Sequence, residues 1–302
     1  MTQPPLQDSL SSTHSQLPVL PPTSLVRIPG EAQKHFEGDR FSFMQSGDPS
    51  HPAIVMLHGI GSHAAYFRFQ FQSLSKTHRV VAWNAPGYWL TDGFKTESPS
   101  DLDYAKALAS FLDALGLERV VLCGNSFGSA VAQAFAIHYP SRVSHLVLSG
   151  TGVGQRVLSA ERREAFQARA KRVLAGGFAY GDAGVDALVA KYTQPWLKDM
   201  LVEISRGIQA KGLLSAVAFR LSSFYSPDQA HLIEAPILMI QGQEDRTNPR
   251  WENADLLKAA KEDALLIELQ GVAHLPEVED AQRYNQLLLD FISSDSKMTS
   301  LE

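Results

Sequence analysis

Residues Val120 to Ser129 read VVLCGNSFGS, an apolar β-branched run that meets a Gly-x-Ser-x-Gly pentapeptide and opens straight into a helical pattern. A chain that passes from strand to helix within about four residues forces the residue at the turn into a strained backbone conformation, tolerated when small residues flank it. Gly124 and Gly128 are those flanks, and Ser126 stands at the turn. The helix that follows begins with free N–H groups and a positive dipole end, which suit a developing oxyanion. Ser126 is therefore the candidate nucleophile. Phe127, Ala130, Val131, Ala134 and Phe135 recur at helical spacing as one apolar stripe, and Tyr139-Pro140 ends the run. An inert turn would have no need of a second glycine inside the first helical turn.

Outward from this unit, strand and helix alternate from about residue 34, the signature of a mostly parallel sheet. Residues 35–48 read as an initial hairpin. AIVML from Ala53, RVVAW from Arg79, VVLC from Val120 and HLVLSG from His145 are continuous apolar runs, as buried parallel strands should be. Helices are expected after the first of these and over residues 101–115, the latter closed by Gly116. The alternation stops between about Gln155 and Leu232, where composition is helical and no strand is convincing. It resumes with ILMIQG after Pro236 and LLIEL, and a last helix is expected over residues 277–292. An all-helical insertion between two sheet strands reads as a lid over the edge where open α/β sheets bind ligands. The expected division is a flexible arm over 1–30, a core over 31–154 and 233–293, a helical cap over 155–232 and a tail over 294–302.

A serine hydroxyl is a poor nucleophile near neutral pH and needs a base within hydrogen-bond reach, itself oriented by a third group. Of ten histidines, His274 sits in LQGVAHLPEVE just beyond the last strand, at the strand edge where Ser126 should stand. His138 and His145 fall at a helix end and a strand start, on the far side of the sheet. The orienting carboxylate should also follow a strand end, where ILMIQGQEDRTNP offers Glu244 and Asp245. Asp245 is preferred, because Pro249 starts the next helix behind it. The order Ser126, Asp245, His274 is the one expected of an α/β-hydrolase. LHGIGS, residues 57–62, follows a strand and carries two glycines that let the backbone turn its N–H groups toward the serine. Phe127 and Ile60 are the expected backbone donors of an oxyanion hole. A phosphate-loop reading of HGIG fails because no Gly-Lys-Ser/Thr follows.

Composition narrows the partners. With 302 residues, 44% of them hydrophobic, and a net charge of −5, the chain can build one large core and lacks the basic face of a nucleic-acid binder. Cys123 is the single cysteine, which excludes an internal disulfide and points to a reducing compartment, the cytoplasm. No window of about 18 apolar residues exists to span a membrane. The first residues, with Pro4-Pro5 and Pro21-Pro22 and no basic n-region, read as extended chain and not as a secretory signal.

Taken together, GNSFG, the HG-x-G loop and the Ser126, Asp245, His274 order resemble the α/β-hydrolase superfamily from about residue 34 to 293. Within it they are similar to the branch of enol-lactone hydrolases, small-molecule esterases and hydrolases that cleave C–C bonds in aromatic ring-fission products. The resemblance implies a mostly parallel eight-stranded sheet flanked by helices, a helical cap, a Ser-His-Asp triad, an acyl-enzyme, a small-molecule substrate, no metal and no cofactor. It departs from the family pattern twice. Asn84-Ala85-Pro86-Gly87-Tyr88-Trp89-Leu90-Thr91 stands where Asp-x-Pro-Gly-x-Gly-x-Ser is usual, and Leu275 stands where C–C bond hydrolases often carry tryptophan. The leading expectation is a serine hydrolase for a small, largely apolar carboxylic ester or enol-lactone. C–C bond hydrolysis is the alternative enzyme reading, and a ligand receptor on a hydrolase scaffold the non-enzyme one. Trp89, Trp196 and Arg220 are the expected substrate contacts, the last for a carboxylate. Phe178, Tyr180, Tyr192, Phe219, Phe224 and Tyr225 are further aromatics available to a pocket wall.

Overall fold

The computed structural model of the chain describes residues 17–154, 159–175 and 182–298. Eight strands form one sheet: β1 (Thr23–Arg27), β2 (Arg40–Ser46), β3 (Ala53–Leu57), β4 (Arg79–Trp83), β5 (Val120–Asn125), β6 (Val143–Ser149), β7 (Ile237–Gly242) and β8 (Leu265–Leu269). Their order is β1-β2-β4-β3-β5-β6-β7-β8, and every pairing from β4 to β8 is parallel. Only β1 with β2 and β2 with β4 run antiparallel. The flanking helices are α1 (Arg68–Leu74), α2 (Asp101–Ala114), α3 (Phe127–His138), α8 (Ala254–Ala260), α9 (Pro276–Glu279) and α10 (Ala281–Met298). Between β6 and β7 the described residues hold α4 (Ala160–Leu174), α5 (Asp182–Asp186), α6 (Pro195–Ser205) and α7 (Ala210–Arg220), and no strand.

The apolar runs have a physical reason: both faces of the sheet are covered. Along β5, Val120 and Leu122 join the core cluster that contains α2 and α3, while Val121 and Cys123 join the one that contains α1 and α10. A strand buried on both faces has no polar side to alternate with. Burial also pushes the Cys123 thiol up, as expected of a core cysteine. Helix α2 opens on a reciprocal Ser100–Asp103 capping box and ends as the sequence predicts. Gly116, at φ 66°, donates to Asp113 O, and Leu117 N reaches back to Leu112 O.

Three expectations are corrected. Residues 35–48 are not a hairpin: β2 is a single strand whose antiparallel partners are β1 and β4. The arm expected over 1–30 overlaps β1, because the residues between Pro22 and Pro29 pair with β2 along the sheet edge, Thr23 opposite Met44 and Arg27 opposite Arg40. The last helix is interrupted at Asp280, whose φ of −138° and ψ of 62° separate α9 from α10, and α10 then runs past residue 293 into the expected tail.

Helix α3 is packed onto the sheet at two glycines. A Cβ at Gly128 would lie 2.1 Å from Leu57 O of β3, and one at Gly124 would lie 2.3 Å from Gly128 O. Gly128→Ala is therefore expected to cost about 3 kcal/mol of unfolding free energy by overpacking against backbone. Gly116→Ala meets open space and should cost only about 1 kcal/mol, for the left-handed backbone. Urea unfolding of the two variants checks this, and the reverse ranking would contradict the packing described.

Candidate functional site

Ser126 stands between β5 and α3 at φ 54° and ψ −114°, and Trp89 is the other non-glycine residue with positive φ among the described residues. Such a conformation costs about 1 to 3 kcal/mol and persists only where the surroundings hold it. Here the serine N–H donates to Ser149 O at 3.0 Å, and its carbonyl accepts from Ser129 N at 3.0 Å and Ser129 Oγ at 2.6 Å. Both termini of the strained unit are thus tied to neighbouring structure.

His274 follows β8 in the loop before α9, and its Nδ1 lies 2.9 Å from Asp245 Oδ2, both side chains being at most 3% exposed. A carboxylate accepts only, so Nδ1 carries the proton and Nε2 is left as an acceptor. Asp245 also receives Gln241 Nε2 at 2.7 Å and the Thr247 and Asn248 N–H groups at 2.9 Å each. Burial alone would raise the Asp245 carboxyl, but the adjacent His274 ring and those N–H donors hold it below its ordinary value. Gly150 leaves the room the imidazole occupies: a Cβ there would fall 2.9 Å from the ring atoms Cε1 and Nδ1. Glu244, the other carboxylate considered, instead accepts from Lys191 N at 3.3 Å. His138 pairs with Asp101, and His145 meets Phe291 of α10 edge-on.

One cavity is lined by Ser126, His274, Ile60 and Phe127 together. The loop after β3 is brought to the serine by glycine, since a Cβ at Gly59 would stand 3.3 Å from Ser126 Cβ. His58 fixes that loop: its Nε2 accepts from Ala85 N at 3.1 Å, and its Nδ1 faces Gly59 O at 2.9 Å. Complete enclosure pushes His58 down to about 3, so it stays neutral and both bonds persist. The neighbouring His63, pushed down by burial to about 4, accepts from Ala65 N and stacks on Trp89 at 4.7 Å.

The insertion lines the cavity with Val185, Leu188, Leu201, Ile204, Phe219 and Arg220, and His274 N donates to Leu188 O at 3.0 Å. Of the three expected substrate contacts, only Arg220 lines it. Trp89 is held away by its stack on His63, and Trp196 packs edge-on against Phe69. Among the aromatics, Phe219 lines the cavity against Phe127, Phe224 is buried beside it, Tyr225 is half-buried and Tyr192 is 82% exposed. Phe178 and Tyr180 lie outside the described residues. Among the described residues no group of three or more His, Cys, Asp or Glu could hold a metal ion, and no helix is long and apolar enough to cross a membrane.

Sequence reasoning missed the other polar groups here. Asn125 and Tyr66 line the cavity, and two carboxylates of α9 stand behind His274. Glu279 receives Ala273 N and Leu275 N at 3.1 Å and Ala190 N at 2.7 Å, bracing the His274 loop against the insertion. Glu277 is completely buried. After Pro276, glutamates in a first helical turn read as ordinary helix-start residues, and nothing in the string marks them as buried.

Comparison with known proteins identifies the fold. Residues 52–281 match the family profile described as alpha/beta hydrolase fold. A 2-hydroxy-6-oxononadienedioate/2-hydroxy-6-oxononatrienedioate hydrolase from Burkholderia vietnamiensis is 32% identical over 269 residues, covering 80% of this chain and 86% of that protein. Among solved structures, a thermophilic esterase from Thermogutta terrifontis superposes with a TM-score of 0.78 at 20% identity, over 90% of this chain and 98% of its own. The enol-lactonase from Burkholderia xenovorans LB400 does so at 0.74 and 21%, over 85% and 98%.

The buried histidines give stability a pH dependence of definite sign. His63 titrates near 6.5 in the unfolded chain and near 4 when folded, so between those values the unfolded state binds more protons and stability falls as pH falls. Each unit below the ordinary value is worth about 1.4 kcal/mol. The loss of unfolding free energy from pH 7 to pH 5 should therefore be about 2 kcal/mol smaller in His63→Asn than in wild type. Equal losses in chemical denaturation would contradict it.

Proposed function

Because this chain belongs to the α/β-hydrolase family, we propose that it is a serine hydrolase in which Ser126 attacks a substrate carbonyl, His274 moves the protons and Asp245 orients His274. The observation that carries this reading is the strained Ser126 lining one cavity with a histidine whose far nitrogen is held by a buried aspartate. His274 Nε2 takes the serine proton as the tetrahedral intermediate forms, and the resulting imidazolium, stabilised by Asp245, returns it to the leaving group. The Ile60 and Phe127 N–H groups are the donors for the oxyanion. Such a donor is typically worth about 3 kcal/mol of transition-state stabilisation. Water then attacks the acyl-enzyme with His274 as base. Helices α4 to α7 act as the cap whose side chains choose the substrate.

The cavity is apolar apart from a few groups, and Arg220 supplies a cation at its cap side. That combination fits a small, largely apolar molecule bearing a carboxylate, for which a guanidinium offers paired N–H donors. The relatives' printed substrates are carboxylate-bearing oxo-dienoic acids, a dienedioate in one and a phenylhexadienoate in another, so C–C bond hydrolysis of a ring-fission acid is the activity we favour. There the leaving group is carbon, and the imidazolium of His274 supplies the proton it needs. Hydrolysis of a carboxylic ester or enol-lactone, the sequence's leading expectation, becomes the second reading. It is favoured by Leu275, which lines the cavity next to His274 where C–C bond hydrolases often place tryptophan.

Ser126→Ala and His274→Ala should each lower kcat by about 10⁴ to 10⁶, and the double variant little further, because triad members act as a unit. Asp245→Asn should cost about 10³ to 10⁴. Additive losses in steady-state kinetics would sink the assignment.

Assays with a 2-hydroxy-6-oxo dienoic acid, an enol-lactone and neutral p-nitrophenyl esters distinguish the bond cleaved. Arg220→Gln should lower kcat/KM for carboxylate-bearing substrates by about 10²-fold and for neutral esters by less than about fivefold. Equal losses on both classes would remove the carboxylate from the proposal.

A further inference from the structure

Glu277 is a carboxylate with no exposed surface, one turn beyond His274 and outside the cavity. Its Oε2 accepts from Tyr66 OH at 2.9 Å and Asn125 Nδ2 at 3.3 Å, and its Oε1 accepts from Ser149 Oγ. Those three partners come from the turn after β3 and the ends of β5 and β6, so one side chain gathers three separate elements. Asn125 and Tyr66 line the cavity, and Asn125 precedes Ser126. The same Asn125 amide also reaches His274 O at 3.2 Å, while Ser149 O receives Ser126 N at 3.0 Å. Two acceptors, a carboxylate and a carbonyl, fix which way the Asn125 amide faces. The Glu277 backbone is held in turn by Gln70 Nε2 at 2.9 Å on its carbonyl.

A buried carboxylate is costly: desolvation takes several kcal/mol unless donors replace the lost water. Burial pushes the Glu277 carboxyl above its ordinary range, while Ser149, Tyr66 and the nearby His274 pull the other way. An apolar residue would fill the space without that cost, but it would leave the Tyr66 and Asn125 donors without their acceptor. What the carboxylate supplies is a pair of acceptor oxygens at the junction of the nucleophile's strand and the histidine's loop.

We infer that Glu277 is a positioning residue for the reaction, holding Asn125, Tyr66 and Ser149 so that Ser126 and His274 meet in register. The inference rests on the Ser126–His274 reading above and extends it by one residue. Its effect runs through hydrogen-bond acceptance, so Glu277→Gln, which keeps an acceptor for Tyr66 and Asn125 and turns an N–H toward Ser149 Oγ, should retain kcat within about fivefold. Glu277→Leu keeps the volume and loses both acceptors. A displacement of about 1 Å in a reacting group costs on the order of 10²-fold, so kcat should fall by about that factor while KM changes less than about threefold.

The test is steady-state hydrolysis of p-nitrophenyl butyrate by wild type, both Glu277 variants and Ser126→Ala, each first shown to be folded by its thermal unfolding midpoint. Loss in Glu277→Leu with rescue in Glu277→Gln supports the inference. Full kcat in a folded Glu277→Leu overturns it, and so does equal loss in both variants, which would place the effect in charge. Where Glu277→Leu does not fold, Tyr66→Phe removes one strut alone, and a kcat about tenfold lower is expected. An unchanged kcat there overturns the inference. Full turnover by Ser126→Ala would overturn the reading beneath it, whereas an inactive Ser126→Ala beside a fully active Glu277→Leu would overturn the positioning role alone.

Discussion

A backbone contact too close for any side chain sets the geometry of the whole site. Gly128 in the first turn of α3 rests on the Leu57 carbonyl, and Gly124 rests on Gly128 in the same way. That approach brings the N-terminus of α3 and the loop after β3 to one cavity, with Ser126 between them. The strain at the serine, about 1 to 3 kcal/mol, is small beside what α3 recovers by burying every residue except His138. Tight packing at the turn therefore holds the hydroxyl in place, and the serine's own preferences count for little.

The second constraint is electrostatic. The loop carrying His274 has little regular structure, yet three carboxylates surround it, each satisfied differently. Asp245 accepts from the ring itself and from its own loop, Glu279 accepts from main-chain donors of the loop and the insertion, and Glu277 accepts from side chains of the sheet edge. Buried charge stabilises only when its donors are complete, and then it permits few alternative arrangements. The histidine is thus oriented from three directions while its Nε2 is left to the cavity. On the other wall, His58 does the corresponding work with neutral hydrogen bonds to Ala85 N and Gly59 O.

Much of this was legible in the sequence, for reasons particular residues make plain. The β5–α3 unit stands out because a continuous apolar run, the paired glycines and the apolar stripe of α3 all point to one local structure. Ser126 stands out by its Gly-x-Ser-x-Gly turn, and Asp245 and His274 by their places just after strand ends, a topological property that the sequence carries; the structure brings Ser126 and His274 to one cavity and Asp245 to His274. Edge strand β1 is not legible: the Pro21-Pro22 pair just before it reads as extended, unpaired chain, and its register comes from β2. Residue type and rough position suggest Trp89 and Trp196 as substrate contacts, whereas partners distant in sequence, His63 and Phe69, decide where they point. Glu277 was invisible for the same reason, since its meaning depends on Tyr66, Asn125 and Ser149.

The claim at the centre is that packing at Gly124 and Gly128 presents Ser126, among all the serines, as the activated hydroxyl beside His274. Treating the folded protein with a fluorophosphonate, then measuring the intact mass and mapping the modified peptide, addresses it directly. A single adduct on Ser126, abolished in His274→Ala, is the expected result. A folded protein that takes up no adduct, or takes it up at another residue, would contradict it.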